Sequence, residues 1–395
     1  MTISIKSPTS TTGSIQKNGS DVITIDASDN VTVANDLTAT SFTGDGSQLT
    51  GLPNSYAGTK NLIINGNMQI AQRGTTFTGN EYTVDRFRVQ NSTDGAYSVT
   101  QDTDVPAGQG FVNSLKYTVT TADTSLTTTQ NTAIVQEIEG VNTTHLELGT
   151  ANAKTFTISF WVKSSLTGTF GGALRNQGNT RAYVYTYNVN SANTWEKKTI
   201  TIAGDTSGTW NTSTGVGIGV LFTLGCGPDL SDTAGAWYGA NKVSATGAVE
   251  LIGTLNATWQ ITGVQLEVGD TATDFENLQY GTQLALCQRY CYGQNNSASE
   301  AYYWFGIGFT SSPTQTYGQV TFPVTMRTKP SLTATVSNTF YIDNFTPNSS
   351  ALIFDQGGVN GCSVSIQGTG GTLGRASRVL SNNTSAAYLI WSAEL

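Results

Sequence analysis

Residues 259–293, WQITGVQLEVGDTATDFENLQYGTQLALCQRYCYG, hold a strand, a turn and a helix in succession, and the remainder of the chain is organised around them. Trp259 and Ile261 alternate with polar residues, and so do Val264, Leu266 and Val268, the period of a half-buried strand. The phase slips by one at Gly263, which predicts a bulge. Gly269-Asp270 then turns the chain, and the segment up to Thr282 reads as loop. Gln283 to Tyr292 is predicted as a helix. Thr282 is placed as its N-cap, Arg289 sits in the last turn, and Gly293 can take the left-handed conformation beyond the end. Leu284, Leu286, Cys287, Tyr290 and Cys291 cover about 160° of such a helix, too wide a stripe for an ordinary surface helix. The 281–293 segment is therefore expected to be a connector packed on more than one side, by both flanking modules or by the same helix of neighbouring chains.

Composition bounds the rest. A length of 395 residues leaves room for two or three domains. Only 12% of residues are charged, against a usual quarter, and 43 glycines accompany many Thr, Ser and Asn. Such hydroxyl-rich strands with glycine turns suit extended β architectures. A formal charge of −8 offers no basic footprint for neutralising phosphates, which excludes nucleic acid as a partner. No apolar run approaches the roughly 18 residues of a membrane span. Met1 to Ser4 lacks the basic region and apolar core of a secretory signal, so work outside a cell would require another exit, such as lysis.

The first 57 residues read as short alternating strands: Ser14 to Lys17, Val22 to Asp26 and Val31 to Ala34, separated by Asn-Gly, Asp-Asn and Asn-Asp turn signals. Up to residue 55 one aromatic residue, Phe42, is present, and the apolar area is too small to offset the ordering entropy of a single copy. Three copies wrapped around one axis, each pointing Ile23, Ile25, Val31, Val33 and Leu37 inward, would be stable. Glycines 44, 46 and 51 would permit close approach of the chains. A disordered tail is the competing reading.

Beyond Asn61, four stretches occur in order: NLIINGNMQIAQRGTTFTGNEYTVDRFRV, TFTISFWVKSSLTGTF (155–170), WEKKTITIAGDTSGTW (195–210) and WQITGVQLEVGDTATDFE. Together with QLALCQRY they resemble bacteriophage tail fibre or tailspike-like receptor-binding proteins that carry a carbohydrate-binding-module-like jelly roll. The likeness spans roughly 58 to 293, and FPVTMRTKPSLT (322–333) extends it weakly. It implies a homotrimeric virion tail protein that is assembled in the host cytoplasm. Such a protein is attached to other tail proteins through its N-terminus and touches a host-surface glycan or outer-membrane receptor. A two-sheet sandwich is also what the many short strands with turn signals suggest by themselves. Related modules often hold calcium between an acidic residue after the first strand and one in the last. The matching positions here are Gln69 and Thr262 or Gly263, which supply too few hard oxygens, so that site is expected to be empty. Glu267, Asp270, Asp274 and Glu276 form a local acidic run whose ordinary use is a solvated loop.

Enzymatic signals are few. His145 is the single histidine and falls in a strand-like stretch, and no G-x-S-x-G, P-loop or H-E-x-x-H occurs. Glu137 and Glu139 share one strand face about 7 Å apart, a separation at which paired carboxylates cleave glycosidic bonds. An exposed polar strand face is the simpler reading, leaving a polysaccharide depolymerase as the alternative function and no assigned catalytic residue, metal or cofactor. Cys226, Cys287, Cys291 and Cys362 lack C-x-x-C spacing and are expected to be buried thiols. Binding is assigned instead to aromatics, whose flat faces suit the apolar C–H face of a sugar. Trp237 and Tyr238 lie in the Gly/Asp-rich GPDLSDTAGAWYGANK, read as a loop, and Tyr302, Tyr303 and Trp304 open the last module, with alternate members facing outward.

Strands are expected at 319–325, 331–336, 351–354, 362–367 and 388–395. The resulting expectation is an all-β protein: an intertwined trimeric stalk (1–57), a jelly-roll β-sandwich (58–280), one connecting helix (281–293) and a C-terminal β-sandwich-like head (294–395). Its role would be adhesion, or an architectural place in the tail without a ligand.

Overall fold

The computed structural model describes residues 13–17, 20–25, 31–33, 60–294, 302–334, 340–342 and 352–395. The chain divides into two compact units, Met1–Leu52 and Pro53–Leu395. The first contains an antiparallel three-stranded sheet of Gly13–Lys17, Ser20–Ile25 and Val31–Val33. Ile15 stands opposite Ile23, Ile23 opposite Val33, and Ile25 opposite Val31. Ile23 and Val33 are half-buried and Thr32 between the strands' apolar positions is exposed. Leu37 lies outside the described residues, as do glycines 44, 46 and 51.

The second unit is β throughout except for one α-helix and short 3₁₀ turns among the described residues. Its larger part is a jelly-roll sandwich of two six-stranded antiparallel sheets. The first sheet runs laterally Trp237–Tyr238, Ala182–Val189, Gly168–Arg175, Val216–Cys226, Asn131–Glu139 and Phe87–Asn91. The second runs Glu196–Ile202, Phe156–Ser164, Thr258–Val268, Ser114–Thr121, Ala96–Asp102 and Thr76–Phe77. One continuous core lies between them, centred on Phe160, Tyr187, Phe222 and Trp259. The ring of Phe160 meets Tyr187 and Phe222 edge-on at 5.1 and 5.0 Å, and the Trp259 indole N–H donates to the Tyr187 hydroxyl at 3.0 Å. The indole thereby enters the core without an unpaired donor.

Thr258–Val268 is the central strand of the second sheet. Its pairing with Phe156–Ser164 slips between Thr262 and Gln265, and Gly263 there takes φ +63°. Trp259, Ile261, Val264 and Leu266 are fully buried. The alternate face is not solvated, contrary to the half-buried expectation: Gln260, Thr262, Gln265 and Glu267 are buried as well. The segments 60–66, 111–113 and 273–276 cover them. Thr262 donates to the Asn113 carbonyl, Gln265 donates to Glu267, and Gln265 accepts from the Glu276 amide. Each buried polar group is thus matched locally, as burial requires.

The helix spans Tyr280–Gln288, three residues earlier than its sequence pattern implies. Gln279 precedes it without a side-chain cap, Thr282 lies exposed in its first turn, and Arg289 closes it. Gly293 is not a left-handed cap, because Cys291–Gln294 forms a strand paired with Leu389–Ser392. Pairing with a strand about a hundred residues downstream overrides helix propensity here. Cys287, Tyr290 and Cys291 are fully buried, whereas Leu284 and Leu286 are only half-buried.

The C-terminal residues build a second core around Phe305, Phe322, Phe340 and Trp391. Above it lies a six-stranded sheet ordered Phe340–Ile342, Ala376–Ser381, Trp304–Ser312, Gln315–Thr321, Gly361–Gln367 and Leu352–Gly357. Cys291–Gln294, Leu389–Ser392 and Ser331–Ala334 make a smaller sheet. A buried polar node ties this core to the jelly roll. Glu394 pairs with Arg86 and with Arg73 (3.1 Å), and the Tyr82 hydroxyl donates to the Leu395 carbonyl at 2.9 Å. Arg86 stacks 3.6 Å above the Tyr290 ring, and Arg327 donates to the carbonyls of Ala393 and Thr214.

Candidate ligand-binding site

Trp237 and Tyr238 do not form a free loop. They are a short edge strand, with Trp237 opposite Tyr183 and Tyr238 opposite Ala182, and both are half-buried. Backbone pairing anchors the two rings. The Trp237 N–H donates to the Ala203 carbonyl at 2.8 Å, and the Tyr238 hydroxyl donates to the Thr233 carbonyl at 2.7 Å. Trp237 meets Tyr183 at 5.2 Å and Trp210 at 5.5 Å, both edge-on. The Trp210 N–H donates to the Ser207 carbonyl at 3.1 Å. Three half-buried rings from three distant segments therefore gather at one sheet edge, with both indole N–H groups already engaged and part of each residue open to solvent.

An ion pair holds the loop that carries Trp210. Arg181 grips Asp205 bidentately at 2.6 Å on both arms, and Asp205 is buried. This hydrogen bonding raises the guanidinium pKa above its ordinary value. Gly208, at φ +78°, passes so close to Arg181 that an added Cβ would lie 2.5 Å from its side chain. Asn176 accepts from the amides of Thr180 and Arg181 and donates to the Thr209 carbonyl, and Asn211 donates to Gln177. Aromatic surface rimmed by amides can stack on the C–H face of a sugar and exchange hydrogen bonds with its hydroxyls. Trp237 and Tyr238 are readable in the sequence as aromatics in a polar setting. Tyr183 and Trp210 are not, because only the fold brings them there.

In the C-terminal sheet, Tyr302 and Trp304 point outward at 63% and 61% exposure. Tyr303 is half-buried, its ring 5.0 Å from Phe305 and packed against the second core. A concavity of about 500 Å³ is lined by Tyr302, Tyr341, Arg378, Leu380 and Asn382. Another, of about 360 Å³, lies beside the helix and includes Asn61, His145, Phe275 and Leu286. His145 sits in the 3₁₀ turn Thr144–Leu146 rather than in a strand, and burial together with nearby Lys154 lowers its pKa.

The two strand carboxylates are engaged in ion pairs rather than forming an exposed polar face. Glu139 is fully buried, held by Arg289 at 2.7 and 2.8 Å and by the Tyr290 hydroxyl at 2.7 Å. Burial alone would raise its carboxyl, but the guanidinium and the phenol keep it below the ordinary range. Glu137 pairs with Arg88 at 2.8 Å. The acidic run divides: Asp270 and Asp274 are exposed as a solvated loop requires, whereas Glu267 is buried and accepts from Thr273, and Glu276 accepts the amides of Lys60 and Asn61. At the positions compared with a calcium site, Thr262 is committed to Asn113 and Gly263 abuts the Phe111 ring. Among the described residues no three His, Cys, Asp or Glu side chains are placed to share a metal, and no helix is long and apolar enough to cross a membrane. The four cysteines are buried free thiols.

No protein-family profile matches the chain, and no curated protein matches it. Among solved structures, one likeness is to the enzymatically active domain of tailspike protein 4 of bacteriophage CBA120. It shows 16% identity and a TM-score of 0.32, over 53% of this chain and 22% of that one. A second is to TmCBM61 in complex with β-1,4-galactotriose, at 11% identity and a TM-score of 0.28, over 53% of this chain and 100% of the other. A third is to a sugar-binding protein of Bacteroides thetaiotaomicron, at 13% identity and a TM-score of 0.32, with the same coverage as the second. The chain spans about a fifth of the tailspike, and at these scores none of the three assigns a ligand or an activity to it.

Proposed function

We propose that this chain is a phage tail fibre protein that binds a host-surface glycan during adsorption, as a homotrimer. One observation carries the reading: Tyr183, Trp210 and Trp237 gather at a single edge of the jelly roll, ring surface open and nitrogen donors tied to backbone. A neutral platform of this kind loses little by giving up water to a sugar ring, because both of its indole N–H groups are already bonded. The trimer rests on the meagre apolar content of residues 1–57, where three short strands cannot bury enough by themselves. Each site would bind weakly, and three linked sites on one fibre would hold a cell surface far more tightly. The ion pairs that occupy Glu137 and Glu139 count against hydrolysis at that strand.

The test is adsorption of the purified protein to host cells and to their isolated envelope glycan. Trp210→Ala is expected to lower binding about tenfold or more at unchanged melting temperature, in line with loss of a stacked aromatic. Undiminished binding by both Trp210→Ala and Trp237→Ala would overturn the assignment.

A further inference from the structure

We infer that the outward face of the C-terminal sheet, centred on Ile307 and Phe309, is a contact between copies of this chain. The inference rests on the homo-oligomeric reading above and names the surface that serves it. The inner face of this sheet packs Phe305, Val320, Val364 and Val379 on the second core, but beside Phe309 it turns hydroxyls inward while apolar side chains stand on the outer face. Thr310, Thr316 and Ser377 point inward and are buried, their hydroxyls 3.1 Å apart in a small cluster. Ile307 and Phe309 point outward at 56% and 54% exposure. Tyr317 stands directly opposite Phe309, with ring centres 6.0 Å apart, and Ile353 on the far strand is 49% exposed. A sheet already packed on one side that also exposes Ile307, Phe309 and Ile353 on the other has an outer face suited to burial. Exposure is also concentrated here: of the ten exposed large hydrophobics among the described residues, six fall between Tyr302 and Leu373.

The chemistry of the face selects its occupant. A concavity of about 910 Å³ runs over Ile307, Phe309 and Tyr317, rimmed by Gln319, Gln356, Asn360 and Ser363, without a charged side chain in its lining. Two copies each carrying −8 repel wherever carboxylates meet, so the contact centres on this uncharged concavity, with Arg378, opposite Ile307, and the exposed Asp355 of Leu352–Gly357 at its margins. Isoleucines 307 and 353 offer no flat π surface for a sugar, but they pack well against apolar side chains of a protein. Six strands about 4.8 Å apart and roughly 20 Å long present about 600 Å² per copy, of the order of the ~800 Å² each partner gives to a standard interface.

The experiment uses the full chain carrying Gln319→Cys, for which the four native cysteines, all buried, give little background. Leu255→Cys, at a jelly-roll position 56% exposed, serves as the freely reacting control. Solution mass and maleimide labelling rate are measured together. The expected result is an oligomer in which Gln319→Cys labels about tenfold or more slower than Leu255→Cys, with the difference abolished by adding Phe309→Asp. An oligomer whose Gln319→Cys labels as fast as the control overturns the contact and leaves the oligomeric reading standing. A monomer overturns both. Protection that arises only when host envelope glycan is added overturns the contact in favour of a host ligand on this face.

Discussion

Glu139 and Arg289 meet in a bidentate ion pair at 2.7 and 2.8 Å, and this pair fastens the end of a jelly-roll strand to the end of the only α-helix among the described residues. Glu139 is fully buried, so removing its partner leaves a carboxylate with the Tyr290 hydroxyl and the more distant charge of Arg327 to answer it. Arg289→Ala is expected to cost about 3 kcal/mol, the usual consequence of breaking a buried pair from one side. The double variant Glu139→Gln/Arg289→Ala should cost less than the sum of Glu139→Gln and Arg289→Ala. Urea unfolding of the four proteins measures both, and strict additivity would show that the two side chains do not act as a unit.

The same carboxyl sets an acid limb. Its folded-state pKa lies below the ordinary 4.5, because Arg289 and Tyr290 outweigh the opposing effect of burial. The folded state therefore holds its proton less tightly than the unfolded chain. The stabilisation is complete above about pH 4.5 and is lost as pH falls through the lowered value. Asp85 acts oppositely. Burial raises its carboxyl above 3.8, so its contribution is complete below that value and is lost as pH rises through the raised one. Glu139→Gln should flatten the loss of stability on acidification, measured as melting temperature from pH 6 down to pH 3; an unchanged slope would remove Glu139 from the acid transition.

Much of the sandwich was legible because alternation reports strand period directly, and a glycine at a phase slip marks a bulge. Thr258–Val268 was read with its irregularity in place. Phase is another matter. Alternation says which residues share a face but not which face is covered, so the inward threonines and outward Ile307 and Phe309 of the C-terminal sheet could not be foreseen. The helix ends early because Cys291 joins a strand whose partner lies about a hundred residues on. Glu139 finds its cation 150 residues away, and Trp210 and Tyr183 reach Trp237 only through folding. Local pattern carries no signal for such meetings.

Gly263 carries both conformational and steric demand. At φ +63° an L side chain is strained, and an added Cβ would lie 2.6 Å from the Phe111 ring. Gly263→Ala is expected to cost roughly 2–3 kcal/mol. Gly269→Ala, with φ +115° but nothing within 4 Å of the added carbon, separates strain from crowding. Equal losses at the two positions in urea unfolding would exclude crowding against Phe111.

Thiol chemistry should be silent in the native protein. Burial pushes Cys226 and Cys362 up to about 12, and it also raises Cys287 and Cys291 well above the ordinary thiol range. The thiolate is the reacting species, so a disulfide reagent at pH 8 should titrate almost nothing until denaturant is added and then four thiols. Rapid reaction of one thiol in the native state would locate a region that opens easily.

Arg181 offers a way to loosen the aromatic edge without touching a ring. Its two arms hold buried Asp205, and the loop from Asp205 leads through Ser207 to Trp210. A lysine has one point of charge and cannot reproduce the forked contact, so Arg181→Lys should behave nearly as Arg181→Ala rather than as a conservative change. Both are expected to lose about 2 kcal/mol of stability, since Asp205 is left buried with a poorer partner. Because Trp210 would no longer be held against Trp237, indole fluorescence should shift to the red at temperatures where the protein is still folded. If the edge is the ligand platform, binding to host envelope glycan should fall in parallel with that shift. A red shift with full binding would separate the position of Trp210 from recognition and leave Trp237 and Tyr183 as the rings that matter.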